Sequence, residues 1–201
     1  MAVHERLAPR PGSRERLTEA MAELLWERGY AATSPRDVMA RADVGQGSMY
    51  HHFDGKHGLA LETLGAVAEH LMAEAVESEG EGTAIERLRR RFSYPRPGLL
   101  GCRLGRMTQD PQVVEDPDLL KIVSDAFETA AAQWAALVAE AVADGDLPAT
   151  TDPDELASTL AAVVQGGYVL ARAQGSQEPM DAAVRGALAL LEAARPRPVQ
   201  G

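Results

Sequence analysis

The 201-residue sequence has one cysteine, Cys102, so no intrachain disulfide can form, and that usage suits a reducing compartment. Cys102 and five scattered histidines offer no spacing at which zinc would be held. Aromatic residues make up only 4% of the chain, while Ala and Leu are abundant, a balance that favours helices. Long apolar runs are missing too. The longest uncharged stretch, Leu156 to Ala171, has 16 residues and contains Gln165, Gly166 and Gly167, which is short of a membrane span. The N-terminal MAVHERLAPRPG lacks the apolar segment of a secretory signal. The expectation is a cytoplasmic, all-α chain with no cofactor, no metal site and no membrane partner. Enzyme chemistry finds no support, because there is no nucleophile–base pairing, no metal-ligand spacing and no glycine-rich phosphate loop. His51 and His52 are adjacent and point to different helix faces, so they cannot easily share one ion.

An excess of positive charge is also absent, since the formal net charge is −10. The acidity is unevenly placed. Residues 1–60 hold eight Lys/Arg and eight Asp/Glu, whereas residues 61–201 hold twelve against twenty-two. A nucleic-acid reader in the first 60 residues would therefore make few phosphate contacts and bind random DNA modestly.

The informative stretch is Thr33 to Lys56, TSPRDVMARADVGQGSMYHHFDGK. Ser34 is a good N-cap, Pro35 suits the first helical position, and Asp37 lies three residues after the cap. The first helix runs to about Ala42 with Val38 and Ala42 on one face. Asp43 takes the turn, as Asp tolerates a left-handed conformation, and Val44 buries it. A second helix, about Gln46 to Phe53, puts Met49 and Phe53 inward. Gln46, Gly47, Ser48, Tyr50, His51 and His52 face out, a row of small, polar and aromatic groups with no acid, suited to a major groove. Asp54 is expected to cap the next helix. Lys56 then sits in its first turn, where a cation gains nothing from the dipole but could meet a phosphate. An ordinary helical packing unit is the competing reading.

The pair Gly29-Tyr30, Thr33, the run Arg36-Asp37-Val38, Ala42, Val44, the run Gly47 to Phe53, Lys56 and Leu59 together resemble the DNA-binding domain of the tetracycline-repressor (TetR) family. The resemblance covers about 50 residues, and its spacing from the hydroxyl cap to Tyr-x-x-Phe and Lys is kept throughout. Two positions depart from it. Asp43 stands where a turn glycine is usual, and Gln46 stands where many members have Lys; an amide there could read adenine. The resemblance implies an N-terminal three-helix helix-turn-helix domain and a C-terminal helical ligand-binding and dimerisation domain, about nine helices in all.

The expected organisation is a flexible arm at 1–12, a DNA-binding domain at 13–58, a connecting helix at about 55–78, a C-terminal domain at 59–195 and a flexible tail at 196–201. Arg6, Arg10 and Arg14 could reach a minor groove from the arm, or the arm is simply solvated. The first helix, from Ser13 to the stop at Gly29, carries Leu17, Ala20, Met21, Leu24 and Leu25 on one face. The connecting helix repeats Leu64, Val67, Leu71 and Ala75; His70 on it is read as a satisfied histidine, with a ligand contact as the alternative. Thr83 and Glu86 form a capping box ahead of Ile85, Leu88 and Phe92. Arg87, Arg89, Arg90 and Arg91 are read as a solvated, salt-bridged face.

In residues 99–111, Leu100, Leu104 and Met107 recur at helical spacing, and Cys102 is read as a buried structural thiol. Gly101-Cys102 is similar to the same place in the LmrA-type branch of the family, whose members answer to small hydrophobic or antibiotic-like compounds. Asp116-Pro117 opens a long amphipathic helix with Leu120, Val123, Phe127, Ala130, Trp134, Leu137 and Ala141 at 3-4 spacing. Asp152-Pro153 opens another, and Pro196 stops the last.

The resemblance implies a homodimeric repressor on a pseudo-palindromic operator. Ser48 and Gln46 would take base edges, Tyr50 and His51 phosphate, sugar or thymine methyl, and His52 a base or phosphate. Thr33, Ser34, Arg36 and Lys56 would position the domain on the backbone. Phe92, Met107, Phe127, Trp134, Gln165 and Tyr168 are the candidate pocket, mostly apolar, for a small neutral or cationic hydrophobic ligand. Leu156, Leu160, Val163, Val164, Val184, Leu188 and Leu191 would pair with their copies in a second chain. A regulator answering to a protein partner, or acting as an activator, is the alternative within the same fold.

Overall fold

Five of the nine helices in the described residues start at a side-chain cap. The computed structural model describes residues 11–196, within which there are nine α-helices, one short 3-10 turn at Met107–Gln109 and no strand. The expected arm and tail, with Arg6 and Arg10, lie almost wholly outside the described residues. In chain order the helices are α1 (Ser13–Arg28), α2 (Pro35–Ala42), α3 (Gln46–His52), α4 (Lys56–Glu77), α5 (Ala84–Ser93), α6 (Pro111–Val114), α7 (Pro117–Ala143), α8 (Pro153–Gln174) and α9 (Glu178–Ala194).

Side-chain caps hold α2, α5, α7 and α8 as expected. Ser34 and Asp37 cap reciprocally, as do Thr83 and Glu86, and Asp116 and Asp152 each accept two backbone N–H groups. Each such cap is worth about 1 kcal/mol. One expected cap is corrected: Gly55, at φ 92°, is the N-cap of α4, and Asp54 makes no cap. A left-handed turn residue is needed there to redirect the chain, and it takes the capping position in place of the Asp54 carboxylate.

The chain builds two apolar cores. The first gathers Leu17, Met21 and Leu24 of α1, Val38, Met49, Phe53 and Leu59, together with Leu104, Met107, Val113, Leu119 and Val123. The second gathers Ile85, Leu88 and Phe92 with Trp134, Leu137 and Val138, Leu147, and Leu160 and Val164 of α8. α7 serves both cores along 27 residues, about 40 Å at 1.5 Å per residue. The N-terminal helices therefore do not close on themselves; their core continues into residues 104–126. Among the described residues no helix is long and apolar enough to cross a membrane.

Three readings of the sequence change here. Residues 99–110 are turns with the 3-10 segment, not a helix, and Pro111 opens α6; Leu104 and Met107 are buried, but Leu100 is exposed. Pro95, Pro97 and the left-handed Gly101 (φ 82°) prevent a regular helix there. Cys102 is half-buried, and its Sγ accepts the Gly105 N–H at 3.2 Å. The arginine cluster is not uniformly solvated, since Arg91 is 2% exposed and paired with Glu79.

Candidate DNA-reading face and effector cavity

α3 has seven residues, too few to be stable alone. It is held by Met49, fully buried, and Phe53, nearly so, packed into the first core. Asp43, with φ 51° and ψ 52°, makes the turn between α2 and α3 in a left-handed conformation. The opposite face of α3 is left to solvent. Gln46, Gly47, Tyr50 and His51 are exposed, and Ser48 and His52 are half-buried. His52 Nε2 lies 2.9 Å from Ser13 Oγ, which ties the end of α3 to the start of α1.

The expected backbone contacts divide. Ser34 and Arg36 are exposed beside α3, and among the described residues Arg36 has no carboxylate within ion-pair distance, unlike Arg14, Arg28 and Arg41. Thr33 is buried, and its hydroxyl donates to the Gly29 carbonyl at 2.7 Å, so its side chain shapes the loop before α2 and is not free for a ligand. Lys56 Nζ sits 3.7 Å from the Tyr30 ring centre, a cation–π contact. Burial holds its pKa below the ordinary lysine value, against the raising influence of Asp110.

A cavity of about 680 Å³ opens between the two cores. Of the candidate pocket residues, Phe127, Trp134, Gln165 and Tyr168 line it. Phe92 and Met107 do not. Phe92 packs edge-on against Trp134, with ring centres 5.5 Å apart, and Met107 is fully buried in the first core. His70 and Cys102 are on the wall as well. So is Trp26, which belongs to α1 and donates from Nε1 to the Gly101 carbonyl at 2.9 Å. A smaller, more polar annex of about 400 Å³ shares Gly101, Cys102, Gln165 and Tyr168 with the main cavity.

The loop bearing Gly101 also grips the N-terminal half at Asp110. Asp110 is buried; its Oδ2 accepts the Ala31 N–H at 2.8 Å and its Oδ1 the Gln112 N–H at 3.1 Å. Gly29 (φ 86°) passes so close that an added Cβ would stand 2.8 Å from Asp110 Oδ2. Nearby, His57 Nε2 at the start of α4 meets Asp116 Oδ2 at the start of α7, 3.0 Å apart. Asp118 brings a third potential metal-ligand atom within 4.8 Å of these, although Asp116 Oδ1 already caps α7.

Both halves of this architecture have known counterparts. Residues 17–63 match the family profile described as bacterial regulatory proteins, tetR family, and residues 96–187 match the tetracyclin repressor-like C-terminal domain. The chain belongs to the TetR family. The HTH-type transcriptional repressor DhaR of Mycobacterium sp. (strain GP1) is 26% identical over 176 residues, which span 84% of this chain and 86% of the relative. The transcriptional regulator AcuR of Cereibacter sphaeroides is 29% identical over 178 residues, 84% of this chain and 80% of that one. The crystal structure of regulatory protein TetR from Rhodobacter sphaeroides matches with a TM-score of 0.77 and 26% identity, covering 87% of this chain and 96% of that structure. These relatives are transcriptional regulators, and this TetR-family chain is a transcriptional regulator rather than an enzyme. The C-terminal profile does not name the LmrA-type branch.

In this TetR-family fold α8 and α9 carry the exposed apolar residues Val169, Leu170 and Leu190. Leu160, Val164 and Leu191 lie inside the second core of the protomer, and Leu156, Val163, Val184 and Leu188 are half-buried against it. Helical spacing marked all seven as apolar but could not separate the side facing α5 and α7 from the side facing outward. Gly167 allows the close crossing of α8 and α9, since a Cβ there would stand 2.7 Å from Met180 Sδ.

Tyr168 gives the cavity a measurable signature. Burial first, and then the neighbouring Cys102 sulfur, push its phenol up to about 12 from an ordinary 10.0. The unfolded phenol ionises near 10, so this contribution to stability is complete below pH 10 and is lost as pH rises towards 12. Tyr168→Phe is expected to flatten the alkaline fall of the denaturation midpoint over that window. An unchanged pH profile would refute the assignment.

Proposed function

We propose that this TetR-family regulator is a cytoplasmic, homodimeric repressor released from DNA by a small hydrophobic molecule bound in the 680 Å³ cavity. Two copies of α3 enter successive major grooves of a pseudo-palindromic operator, about 34–36 Å apart. Gln46 and Ser48 reach base edges; Tyr50, His51 and Arg36 contact the backbone and thymine methyls, while the Ser34 hydroxyl stays in its cap with Asp37. The exposed apolar sides of α8 and α9 pair with their copies as a four-helix bundle.

The observation that carries the release mechanism is Trp26. It stands on α1 of the DNA-reading half, forms part of the cavity wall, and is bonded to the loop that also holds Ala31 through Asp110. A molecule filling the cavity presses directly on the element that supports α3. Release requires unequal affinity for two conformations; a hundredfold preference supplies about 2.7 kcal/mol. A protein signal is disfavoured, because a core that answered only to a surface partner would have no reason to keep a cavity of this size.

The test is an anisotropy titration of a labelled duplex from the gene's own upstream region, at two salt concentrations, with a random duplex alongside. Saturable, salt-sensitive binding by two protomers, far tighter than to random DNA, is expected. Tyr50→Ala should weaken that binding about tenfold while leaving helical content and dimer mass unchanged. Unchanged affinity would remove α3 from the contact surface.

A further inference from the structure

The cavity and its annex are walled by an unusual number of arginines for a domain that carries the whole net negative charge of the chain. Arg91 and Arg28 are spoken for by Glu79 and Asp37. Arg96, Arg103, Arg106 and Arg172 have, among the described residues, no carboxylate within ion-pair distance. Arg96 donates only to backbone carbonyls, those of Phe92, Tyr94 and Arg91 at 2.7–2.9 Å, and Arg103 lies over the Trp26 ring at 3.9 Å. The two that remain uncommitted, Arg106 and Arg172, both face the annex. Arg106 is half-buried and Arg172 exposed on that wall; burial and then the charge of Arg172 lower the Arg106 pKa, while Asp110 raises it.

The annex has a single carboxylate, Asp110, and both its oxygens are taken by backbone N–H groups. The carboxylates of the main cavity, Glu19 and Glu74, do not reach the annex wall, and Glu74 already accepts from the Tyr94 hydroxyl at 2.7 Å. Two guanidiniums that no carboxylate pairs directly, set against the single charge of Asp110 at the polar end of an apolar cavity, leave a net positive site for an anion. Guanidiniums bind carboxylates through paired, charge-assisted hydrogen bonds.

We propose that the effector is an amphipathic organic anion, with its apolar body beside Phe127 and Trp134 and its carboxylate between Arg106 and Arg172. This rests on the reading that the cavity is the effector site, and it favours an anion over the neutral or cationic ligand that the apolar stripe suggests. The head group then sits next to the Asp110–Ala31 bridge and the Gly29 crossing, at the joint with the DNA-reading half.

The test is calorimetric titration of the full chain, without DNA, against three probes of one chain length: decanoate, decan-1-ol and decyltrimethylammonium. Decanoate is expected to bind at least about tenfold tighter than either other probe, and Arg106→Gln and Arg172→Gln each to weaken it about tenfold. Decan-1-ol affinity should stay the same in both variants, which also shows that they remain folded. Equal or tighter binding of the alcohol or the ammonium probe, decanoate binding unchanged in both variants, or no binding by any probe would overturn the proposal. Adding operator DNA afterwards separates the two readings. Decanoate held by the arginines without loss of DNA would sink ligand-driven release and keep the anion site. Release by the ammonium probe alone would do the reverse.

Discussion

Glu79→Ala is expected to lower the free energy of unfolding by about 3–5 kcal/mol, read as a shift of the urea midpoint at constant slope. Arg91 is almost fully buried, and Glu79 Oε1 accepts from it at 2.8 Å while the other oxygen meets Arg87 at 3.1 Å. Gln133 takes a further guanidinium N–H at 2.6 Å, and the charge lies 5.5 Å from the Trp134 ring centre. Its Nε already has no hydrogen-bond partner. Removing the carboxylate leaves a buried cation with one neutral acceptor, and the cost of desolvating that cation is no longer offset. The double change Glu79→Leu with Arg91→Met should be far milder, because it removes both charges and keeps apolar volume. A loss below about 1 kcal/mol for Glu79→Ala would mean that water reaches Arg91 and that the pair behaves as a surface contact.

Asp110→Ala should cost about 2–4 kcal/mol: the Ala31 N–H is stranded, and α6 loses its cap. Asp110→Asn keeps an acceptor and should lose less. The consequence for regulation is separate from stability. Asp110 joins the cavity loop to the segment just before α2, so Asp110→Ala should leave DNA binding near normal while blunting release by any ligand. A DNA titration with and without ligand decides this. A variant released as readily as the parent would show that the signal travels instead through Trp26 or the His57–Asp116 contact.

Much of this was legible in the residues. Ser34-Pro35, Asp116-Pro117 and Asp152-Pro153 announce helix starts because a carboxylate or hydroxyl cap accepts orphan N–H groups, and a proline at the first position has none to satisfy. Asp110-Pro111 carries the same signature, but the apolar spacing of Leu100, Leu104 and Met107 imitates a helix across it and hides it. On α3, Met49 and Phe53 define the inner face so narrowly that the outward row follows by subtraction. A hydroxyl before a helix start looks available, whereas that of Thr33 is spent on the Gly29 carbonyl.

Periodicity says that a side chain faces inward, but not toward which of two cores or a cavity. Phe92 and Met107 are placed by contacts that only the folded chain makes. Arg91 is buried by a partner twelve residues back, across the turn at Gly80 and Gly82, a separation that no helical spacing encodes. Trp26 and the annex arginines carry no signal in the sequence for the same reason: a tryptophan on α1 meets the cavity wall only when residues 95–110 fold across it.

The chain has two tryptophans, Trp26 and Trp134, and both stand on the wall of the same cavity, one on α1 and one on α7. All indole emission from this molecule therefore originates at the place where an effector would sit. One indole is hydrogen-bonded through its nitrogen to the loop, and the other is packed between a guanidinium and a phenyl ring. The protein is in this sense its own optical probe. A change of colour reports the polarity around Trp26 and Trp134, and a change of brightness reports their neighbours, with no label attached and no contribution from the DNA-reading surface.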